Sequence, residues 1–294
     1  MAAGYNRDFD APYGEAQQIS PLVRRVLANN PSPFTFKGTG SYIVGTREVA
    51  VIDPGPLLGA HLDALKRALA GRTVTHILIT HTHADHSPAA AALKQWSGAK
   101  TYGFGPHPVC DDDGARVEEG GDSDFVPDIR VKHGDVLTVG GLTIDCLHTP
   151  GHISNHMCYA LREESALFSG DHVMGWSSTV ISPPSGDMAD YMASLDMLIA
   201  RRDAILYPTH GGPVTQPGPY LEFCRSHRLA REAEILACVR AGVAAIPDIV
   251  AQLYAGIDKR LHPAATRTVL AHLIKLQREG RVRSAGEGGC YSPL

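Results

Sequence analysis

The stretch His81-Thr82-His83-Ala84-Asp85-His86 places four possible metal ligands within six residues. It follows the run 75–80, whose apolar character predicts a buried strand ending in a polar loop. A single histidine in such a loop is most simply a surface or packing residue. Four imidazole and carboxylate groups together favour a metal site, because neutral imidazoles and carboxylates are the ligands of zinc, iron and manganese.

Three later segments have the same organisation, an apolar strand followed closely by a possible ligand. Glycine lies beside each of these ligands, where the absence of a side chain lets the backbone pass close to a metal. The segments are the strand 142–147 with His152, the strand 166–169 with Asp171, and the strand 205–207 with His210. Each signal is weak alone, but in this order after the histidine-rich loop they predict one shared metal site.

These motifs resemble those of the metallo-β-lactamase superfamily, in its binuclear hydrolase branch. They span about residues 38–213, so the resemblance covers most of the chain before its tail. Short apolar runs that alternate with helical periodicity predict a layered domain of α and β elements. The resemblance narrows this α/β (α+β) class to an αββα sandwich with the metals at one edge of its two sheets.

The resemblance also implies a complete set of ligands for two divalent metal ions. Zinc is the expected metal, with manganese or iron as alternatives. Asp85 and Asp171 are the predicted catalytic residues among the ligands. The ligand set is His81, His83 and His152 on the first metal, Asp85, His86 and His210 on the second, and Asp171 bridging both.

Residues outside the ligand set are predicted to support it. Asp53 matches an aspartate that occurs early in the family's motifs, and it is a candidate acceptor for a ligand N–H. His156, His172 and Tyr191 are candidate general acids, chosen only because they lie near the motifs in sequence.

The ligand set predicts hydrolysis without a side-chain nucleophile. Two metal ions roughly 3.5–4 Å apart lower the pKa of a bound water from about 16 towards 7, which supplies a bridging hydroxide at neutral pH. One metal polarises the carbonyl or phosphoryl oxygen under attack, and the other stabilises the developing negative charge. β-Lactam hydrolysis is not expected, because the ligand sets of the true lactamases differ.

The C-terminal region has a different pattern from the rest of the chain. Helices are predicted over 220–243, 246–254 and 264–279, and a glycine-containing hairpin over 282–291, which together form a winged-helix arrangement. Residues 226–294 carry ten Lys or Arg against six Asp or Glu, whereas the rest of the chain is acidic. We therefore predict a hydrolase domain over 1–225 and a winged-helix-like domain over 226–294.

This tail gives a narrower resemblance, to the β-lactamase-like protein 2 group. The resemblance is carried by His262-Pro263-Ala264-Ala265, by 272–276, and by the segment 182–188. Animal members of that group are endoribonucleases that act on single-stranded RNA, and related fungal members are polyketide thioesterases. The first hypothesis is therefore cleavage of single-stranded RNA phosphodiesters.

Two other functions remain open at the level of sequence. One is hydrolysis of small thioesters or lactones, as in glyoxalase II or acyl-carrier thioesterases, which needs a compact apolar pocket beside the metals. The other is a winged-helix nucleic-acid-binding protein with a structural metal site, in which basic side chains of the tail would contact phosphates. Ordinary charge on exposed helix faces explains those basic residues more simply, so duplex DNA is not an expected partner.

Composition limits the remaining possibilities. The 294 residues are 44% hydrophobic and 20% charged, with a net charge of -4, as in ordinary globular proteins. No apolar run approaches the roughly 20 residues that span a bilayer, and the first 20 residues lack the apolar core of a signal peptide. A cytoplasmic protein with no membrane partner is expected. The oligomeric state is not predicted.

Overall fold

The computed structural model describes residues 4–108, 119–284 and 289–294. Its first sheet has seven strands in sequential order, with antiparallel pairing as far as the fourth strand and parallel pairing beyond it. These strands are β1 (Ala16–Gln18), β2 (Val23–Leu27), β3 (Gly40–Gly45), β4 (Glu48–Ile52), β5 (Thr73–Leu78), β6 (Lys100–Gly103) and β7 (Ile129–Arg130).

The second sheet has five strands in the order β12-β11-β10-β9-β8, and only β11 and β12 are parallel. Its strands are β8 (Val136–Val139), β9 (Leu142–His148), β10 (Met157–Leu161), β11 (Ala166–Gly170) and β12 (Ile205–Pro208). Buried side chains of both sheets interdigitate, including Tyr42 of the first and Phe168 and Tyr207 of the second. The main apolar core therefore lies between the two sheets.

Helices cover the outer faces of both sheets. Helices α1 (Gly59–Leu69) and α2 (Ala89–Ser97) pack on the first sheet. Helices α3 (Met188–Arg201) and α4 (Pro217–Arg240) pack on the second. The predicted αββα sandwich is thus confirmed.

The structure changes the predicted beginning of α2. Sequence alone predicts Ser87 as the residue that caps this helix and Pro88 as its first residue. In the structure Pro88 precedes the helix in helical conformation, with no side-chain capping bond. The Ser87 hydroxyl donates to Asp122 Oδ2 at 2.5 Å.

The C-terminal part consists of the second half of α4 with α5 (Ile246–Leu253), α6 (His262–Arg278) and the hairpin of β13 (Val282–Ser284) and β14 (Tyr291–Pro293). These elements enclose a core of their own, which confirms the predicted winged-helix domain. Helix α4 continues through the predicted boundary at residues 225 and 226, since its first half packs in the core beneath the second sheet. The exact division between the domains stays a prediction.

The loops that carry the predicted ligands meet at one edge of the sandwich. Met157 N donates to Thr80 O at 2.6 Å, and Gly40 N donates to Thr209 O at 2.9 Å, so the two sheets are joined at this edge. Because these bonds tie the loop after β5 to the second sheet, ligands that are far apart in sequence converge there. Among the described residues, no helix combines the length and apolar character required to cross a membrane.

Candidate metal centre

The structure brings all seven predicted ligand side chains into one buried cluster, called here the His/Asp cluster. One side of it joins three imidazoles: His83 Nδ1 lies 3.0 Å from His81 Nε2 and 3.1 Å from His152 Nε2. The ligand atoms divide into overlapping groups that could each hold a metal ion. These groups are His81 with His83 and His152, His81 with His86 and Asp171, and Asp85 with His86 and His210.

The other side of the cluster alternates imidazoles with carboxylates. His210 Nε2 lies 3.2 Å from Asp85 Oδ2 and 3.3 Å from Asp171 Oδ2. His86 Nε2 lies 3.3 Å and 3.5 Å from the same two oxygens. The Asp171 carboxylate thus faces ligand atoms from both halves of the His/Asp cluster.

The donor set fits divalent cations. His86 Nε2 and Asp171 Oδ1 are buried, and neither has a hydrogen-bond partner within the described structure. Buried polar atoms are normally satisfied, so such atoms beside other nitrogen and oxygen donors point to a ligand. The set contains no cysteine and is therefore unlike the thiolate-rich ligand sets of structural zinc sites. That chemistry favours a reactive centre over a structural one.

The pKa values of the imidazoles shift in opposite directions on the two sides of the His/Asp cluster. On the first side, burial and neighbouring imidazoles hold the pKa of His81 and His83 well below the usual range, so both remain neutral. On the second side, burial opposes protonation of His210, but the carboxylates of Asp171 and Asp85 outweigh it and raise its pKa to about 10. The concentrated negative charge on that side is the kind that a divalent cation neutralises.

Asp53 supports the His/Asp cluster from below, as the sequence predicts. Its Oδ2 lies 2.9 Å from His86 Nδ1, the ring atom that faces away from the cluster. The backbone N–H and hydroxyl of Thr80 donate to the Asp53 carboxylate at 2.8 and 2.7 Å, and the Thr209 hydroxyl donates at 3.3 Å. These contacts fix the ring so that Nε2 points at the other ligands.

Two further supports come from the loop before β3, which sequence reasoning missed. The Thr39 hydroxyl donates to Asp85 Oδ2 at 2.9 Å, and His210 Nδ1 lies 3.1 Å from the carbonyl oxygen of Gly38. The only signal in the sequence is the short Gly38-Thr39-Gly40 turn, which gives no indication of its distant partners.

His152 is held by a segment that the C-terminal helices support, called here the 179–183 segment. His152 Nδ1 lies 2.8 Å from Val180 O and 3.1 Å from the Thr179 hydroxyl. From α4, Arg228 Nη2 donates to Thr179 O at 2.5 Å. From α6, the Thr268 hydroxyl accepts from Ile181 N at 3.4 Å. The winged-helix domain therefore contacts the backbone that orients a predicted metal ligand.

The three candidate general acids occupy buried positions behind the His/Asp cluster. His156 Nε2 accepts from Asp171 N at 3.2 Å, and its Nδ1 lies 2.8 Å from the Thr149 hydroxyl. His172 and Tyr191 pack against each other with ring centroids 4.6 Å apart. None of the three is among the described residues that line the cavity beside the cluster, so their positions do not support proton transfer to a substrate. Proximity in sequence could not distinguish residues that line the cavity from residues that lie behind the His/Asp cluster.

A cavity of about 490 Å³ opens from the His/Asp cluster, and His83, Asp85, Asp171 and His210 lie in its wall. The rest of the wall combines apolar with polar side chains, and its apolar residues come from three parts of the chain. The N-terminal part supplies Phe34, the loop after β11 supplies Trp176, and the C-terminal helices supply Leu253, Tyr254, Ile257 and Ala264. The winged-helix domain thus closes the cavity on one side.

Helix α6 packs against the hydrolase domain, which leaves it poorly placed to enter a DNA groove. Arg267 Nε donates to Ser182 Oγ at 3.0 Å, and Arg278 pairs with Asp187. Ala271 of α6 joins the core beneath the second sheet. Most of the basic side chains proposed for phosphates have protein partners, namely Arg260, Arg267, Lys275, Arg278, Arg281 and Arg283.

Comparison with known families matches both parts of the chain. The model described as "Metallo-beta-lactamase superfamily" matches residues 35–210. The model described as "Beta-lactamase associated winged helix domain" matches residues 245–289. The first match covers more than half of the chain and contains all seven residues of the His/Asp cluster.

Similar curated proteins come from fungi. One, named "Atrochrysone carboxyl ACP thioesterase", from Aspergillus chevalieri, is 30% identical over 291 residues, covering 95% of this chain and 88% of that protein. Another, "Lactamase-like protein adaB" from Aspergillus niger, is 29% identical over 294 residues, covering 93% of this chain and 86% of the relative.

Solved structures agree with the fold. A beta-lactamase domain protein from Burkholderia ambifaria superposes with a TM-score of 0.81 at 22% identity, covering 99% of this chain and 97% of that one. A metallo-beta-lactamase family protein from Thermus thermophilus gives a TM-score of 0.76 at 23% identity, covering 94% of this chain and 100% of that one. At these identities the agreement concerns the fold, including the placement of the C-terminal domain on the hydrolase domain.

Proposed function

This chain belongs to the metallo-β-lactamase superfamily of hydrolases, and on that basis we propose that it hydrolyses thioesters of small acyl groups with two divalent metal ions. The observation that carries this proposal is the compact cavity of about 490 Å³ that joins the His/Asp cluster to apolar side chains. Cavities of this size hold a single small molecule. Relatives named as acyl-carrier thioesterases point to the same substrate class.

The reaction adds water across the C–S bond of the thioester. A C–O bond forms at the carbonyl carbon, the C–S bond breaks, and a carboxylic acid and a thiol are released. The seven residues of the His/Asp cluster would hold the divalent cations, which would supply an activated water and a Lewis acid for the carbonyl oxygen. A thiol has a pKa near 8.5 and leaves readily as thiolate, so this reaction has little need of a general acid.

The chain's own residues orient the metal ligands and exclude water. Asp53 and the Thr179–Val180 pair hold the rings of His86 and His152, and Thr39 holds the Asp85 carboxylate. Trp176 lies in the cavity wall and stacks on Phe36 with ring centroids 4.7 Å apart, which holds the indole in place. A fixed site of this kind needs little rearrangement during the reaction.

Cleavage of single-stranded RNA fits the cavity less well. A strand of several nucleotides needs a long groove, whereas this cavity has a volume of about 490 Å³ and the C-terminal helices bound it on one side. A structural metal site in a nucleic-acid-binding protein is also disfavoured, because four residues of the His/Asp cluster line the cavity.

The test measures the hydrolysis of two substrates by the unaltered protein and by the variant Asp171→Asn. Metal-loaded protein is incubated with octanoyl-N-acetylcysteamine, with thiol release followed by a thiol-reactive dye, and in parallel with a fluorescent single-stranded RNA. We expect thiol release that falls by more than roughly 100-fold in Asp171→Asn, since even residues that only support metal ligands cost up to that factor. Asp196→Asn, an exposed partner of Arg225, is the control.

Two results would count against this proposal. RNA cleavage that disappears in Asp171→Asn, without thioester hydrolysis, would assign the site to phosphodiesters. Full thioester turnover in a folded Asp171→Asn or His152→Ala protein would refute the ligand assignment.

A further inference from the structure

We propose that the cavity selects acyl groups that carry a second acidic group, a carboxylate bound by Arg231; this inference rests on the proposed thioester hydrolysis. Arg231 lies on α4 and lines the cavity with Tyr254 and Ile257. Its side chain is 19% exposed, so it lies partly within the wall. The occupant we assign to the space beside it is the acyl chain of the substrate.

The charges around the cavity are unbalanced outside the His/Asp cluster. Three guanidinium groups line it, those of Arg7, Arg228 and Arg231, against the single carboxylate of Glu119 among the described residues. Glu119 already accepts a hydrogen bond from the Ser32 hydroxyl at 2.6 Å. A cavity that combines apolar side chains with an excess of guanidinium groups favours a ligand that has an apolar part and a negative charge at one position.

The three arginines differ in their capacity for a ligand. Arg228 is 3% exposed, donates to Thr179 O and lies over the Tyr191 ring, so it is engaged in holding the 179–183 segment. Arg7 is exposed at the rim, with its guanidinium carbon 6.0 Å from the Trp176 ring centroid. Arg231 is the remaining cation within the described part of the wall.

Arg231 is held in place but keeps donors for a ligand. Its guanidinium carbon lies 4.4 Å from the Tyr254 ring centroid, which fixes the plane of the group. Among the described residues, Nη1 makes both of the polar contacts, with Leu253 O at 3.2 Å and with the half-exposed Glu234 at 3.1 Å. Nε and Nη2 therefore remain to bind a carboxylate, whose two oxygens match the guanidinium fork.

Apolar residues around Arg231 favour an anion on the acyl chain over a phosphate on the thiol carrier. Leu253, whose carbonyl oxygen accepts from Arg231, lines the cavity together with Ile257 and Leu261 of the same domain. A phosphate with two negative charges and a tight water shell is costly to place among such side chains, whereas a carboxylate at the end of an acyl chain is less so.

The experiment uses matched pairs of N-acetylcysteamine thioesters with four to ten carbons. One member of each pair ends in a carboxylate and the other in a methyl group, and neither carries a phosphate. For Arg231→Gln we expect the ratio of kcat/KM for the acidic over the neutral substrate to fall roughly tenfold or more, as for loss of a charged hydrogen bond. Arg231→Lys keeps the charge but not the forked guanidinium, so its ratio should lie between those of the unaltered protein and Arg231→Gln.

Controls separate the two sources of negative charge. Arg225→Gln changes an arginine on the same helix that pairs with Asp196 outside the cavity, and it should leave the ratio unchanged. The neutral acyl groups are also tested as coenzyme A thioesters. An unchanged ratio in Arg231→Gln, or a loss confined to the coenzyme A substrates, overturns the proposal.

If no thioester is hydrolysed, the proposed function is refuted, and the carboxylate site needs a measurement that does not depend on hydrolysis. Binding of aliphatic dicarboxylates of the same lengths is then measured by calorimetry on the metal-loaded protein. A weaker affinity in Arg231→Gln than in Arg225→Gln supports the carboxylate site. Equal affinities overturn it.

Discussion

Asp53 combines an unusual backbone conformation with a central position under the His/Asp cluster. Its φ of 47° lies in the left-handed region, which costs most residues other than glycine about 1–3 kcal/mol. Hydrogen bonds from Thr80 and Thr209 hold the carboxylate there, 1% exposed and in contact with His86. The residue with this unusual backbone conformation is therefore also the one that orients His86, a predicted metal ligand.

Replacing Asp53 with Asn should weaken metal binding while preserving the fold. Asparagine tolerates the left-handed conformation and has the same shape, but it removes the charge that faces His86 Nδ1. We expect metal affinity to fall about 10- to 100-fold, measured by competition with a chromophoric chelator. Asp63→Asn, at a position on α1 away from the site, is the control, and an affinity equal to that control would contradict the role.

His61 should make the stability of the protein depend on pH. Its imidazole is 2% exposed and lies 2.9 Å from the Ser41 hydroxyl, and burial lowers its pKa from 6.5 to about 4. The unfolded chain therefore takes up a proton below pH 6.5 that the folded protein binds only near pH 4. Its contribution to stability is complete above pH 6.5 and decreases as the pH falls from 6.5 to 4.

The expected size of this decrease is roughly 3 kcal/mol, because one pKa unit corresponds to about 1.4 kcal/mol. His61→Gln should remove it, so that urea unfolding at pH 7 and pH 4.5 differs less than in the unaltered protein. His133→Gln, at an exposed position, should keep the original dependence. The same pH dependence in both variants would show that His61 is not responsible.

At the scale of elements, α4 and α6 act through the 179–183 segment. Arg228 of α4 and Thr268 of α6 bind the backbone of this segment. Thr179 and Val180, which belong to the segment, contact the ring of His152. The C-terminal domain thus contributes to the metal centre without supplying a ligand.

Arg228→Met should disturb this connection. The methionine fills part of the space but leaves Thr179 O without its buried donor, which costs about 1–3 kcal/mol of unfolding free energy. Because Thr179 also contacts His152, metal affinity should fall as well. Both are measured in parallel with Arg225→Met, which removes an exposed ion pair of the same helix. A loss of stability with unchanged metal affinity would limit Arg228 to packing.

At the scale of the whole molecule, the two domains enclose one cavity and the metals should stabilise the assembly. Two carboxylates and five imidazoles are gathered in the His/Asp cluster, and their mutual repulsions are relieved by divalent cations. A metal present at 100 times its dissociation constant adds about 2.7 kcal/mol of stability.

Removal of metal by a chelator should therefore lower Tm, by roughly 4 °C for each ion removed from a chain of 294 residues. The shift is measured by calorimetry and should reverse when metal is restored. Asp171→Asn should show a smaller shift, because one ligand has lost its charge. A Tm that is independent of chelator would argue against tight metal binding at this site.

Secondary structure was predictable wherever local patterns carried it. The hairpin of β3 and β4 and the helices α1 to α6 lie close to the segments with apolar alternation or helical periodicity. Four strands, β1, β2, β6 and β7, were missed, because polar residues interrupt their sequences and leave neither an apolar run nor a regular alternation. The helical prediction from Tyr220 was three residues short at its start, since Pro217 begins α4.

The sequence by itself determined the family, the αββα architecture and the seven residues of the predicted ligand set, because each ligand closely follows a strand within a recognisable motif. Only the tertiary structure decided which side chains face the substrate. Phe34, Trp176, Arg231 and Tyr254 are far apart along the chain and meet because the C-terminal helices pack against the sandwich. Packing within the hydrolase domain places His156 and His172 behind the predicted ligands, next to Asp171 and Tyr191. The local sequence pattern indicates only whether a segment is a helix or a strand. The lining of the cavity depends on how the complete helices and sheets pack together.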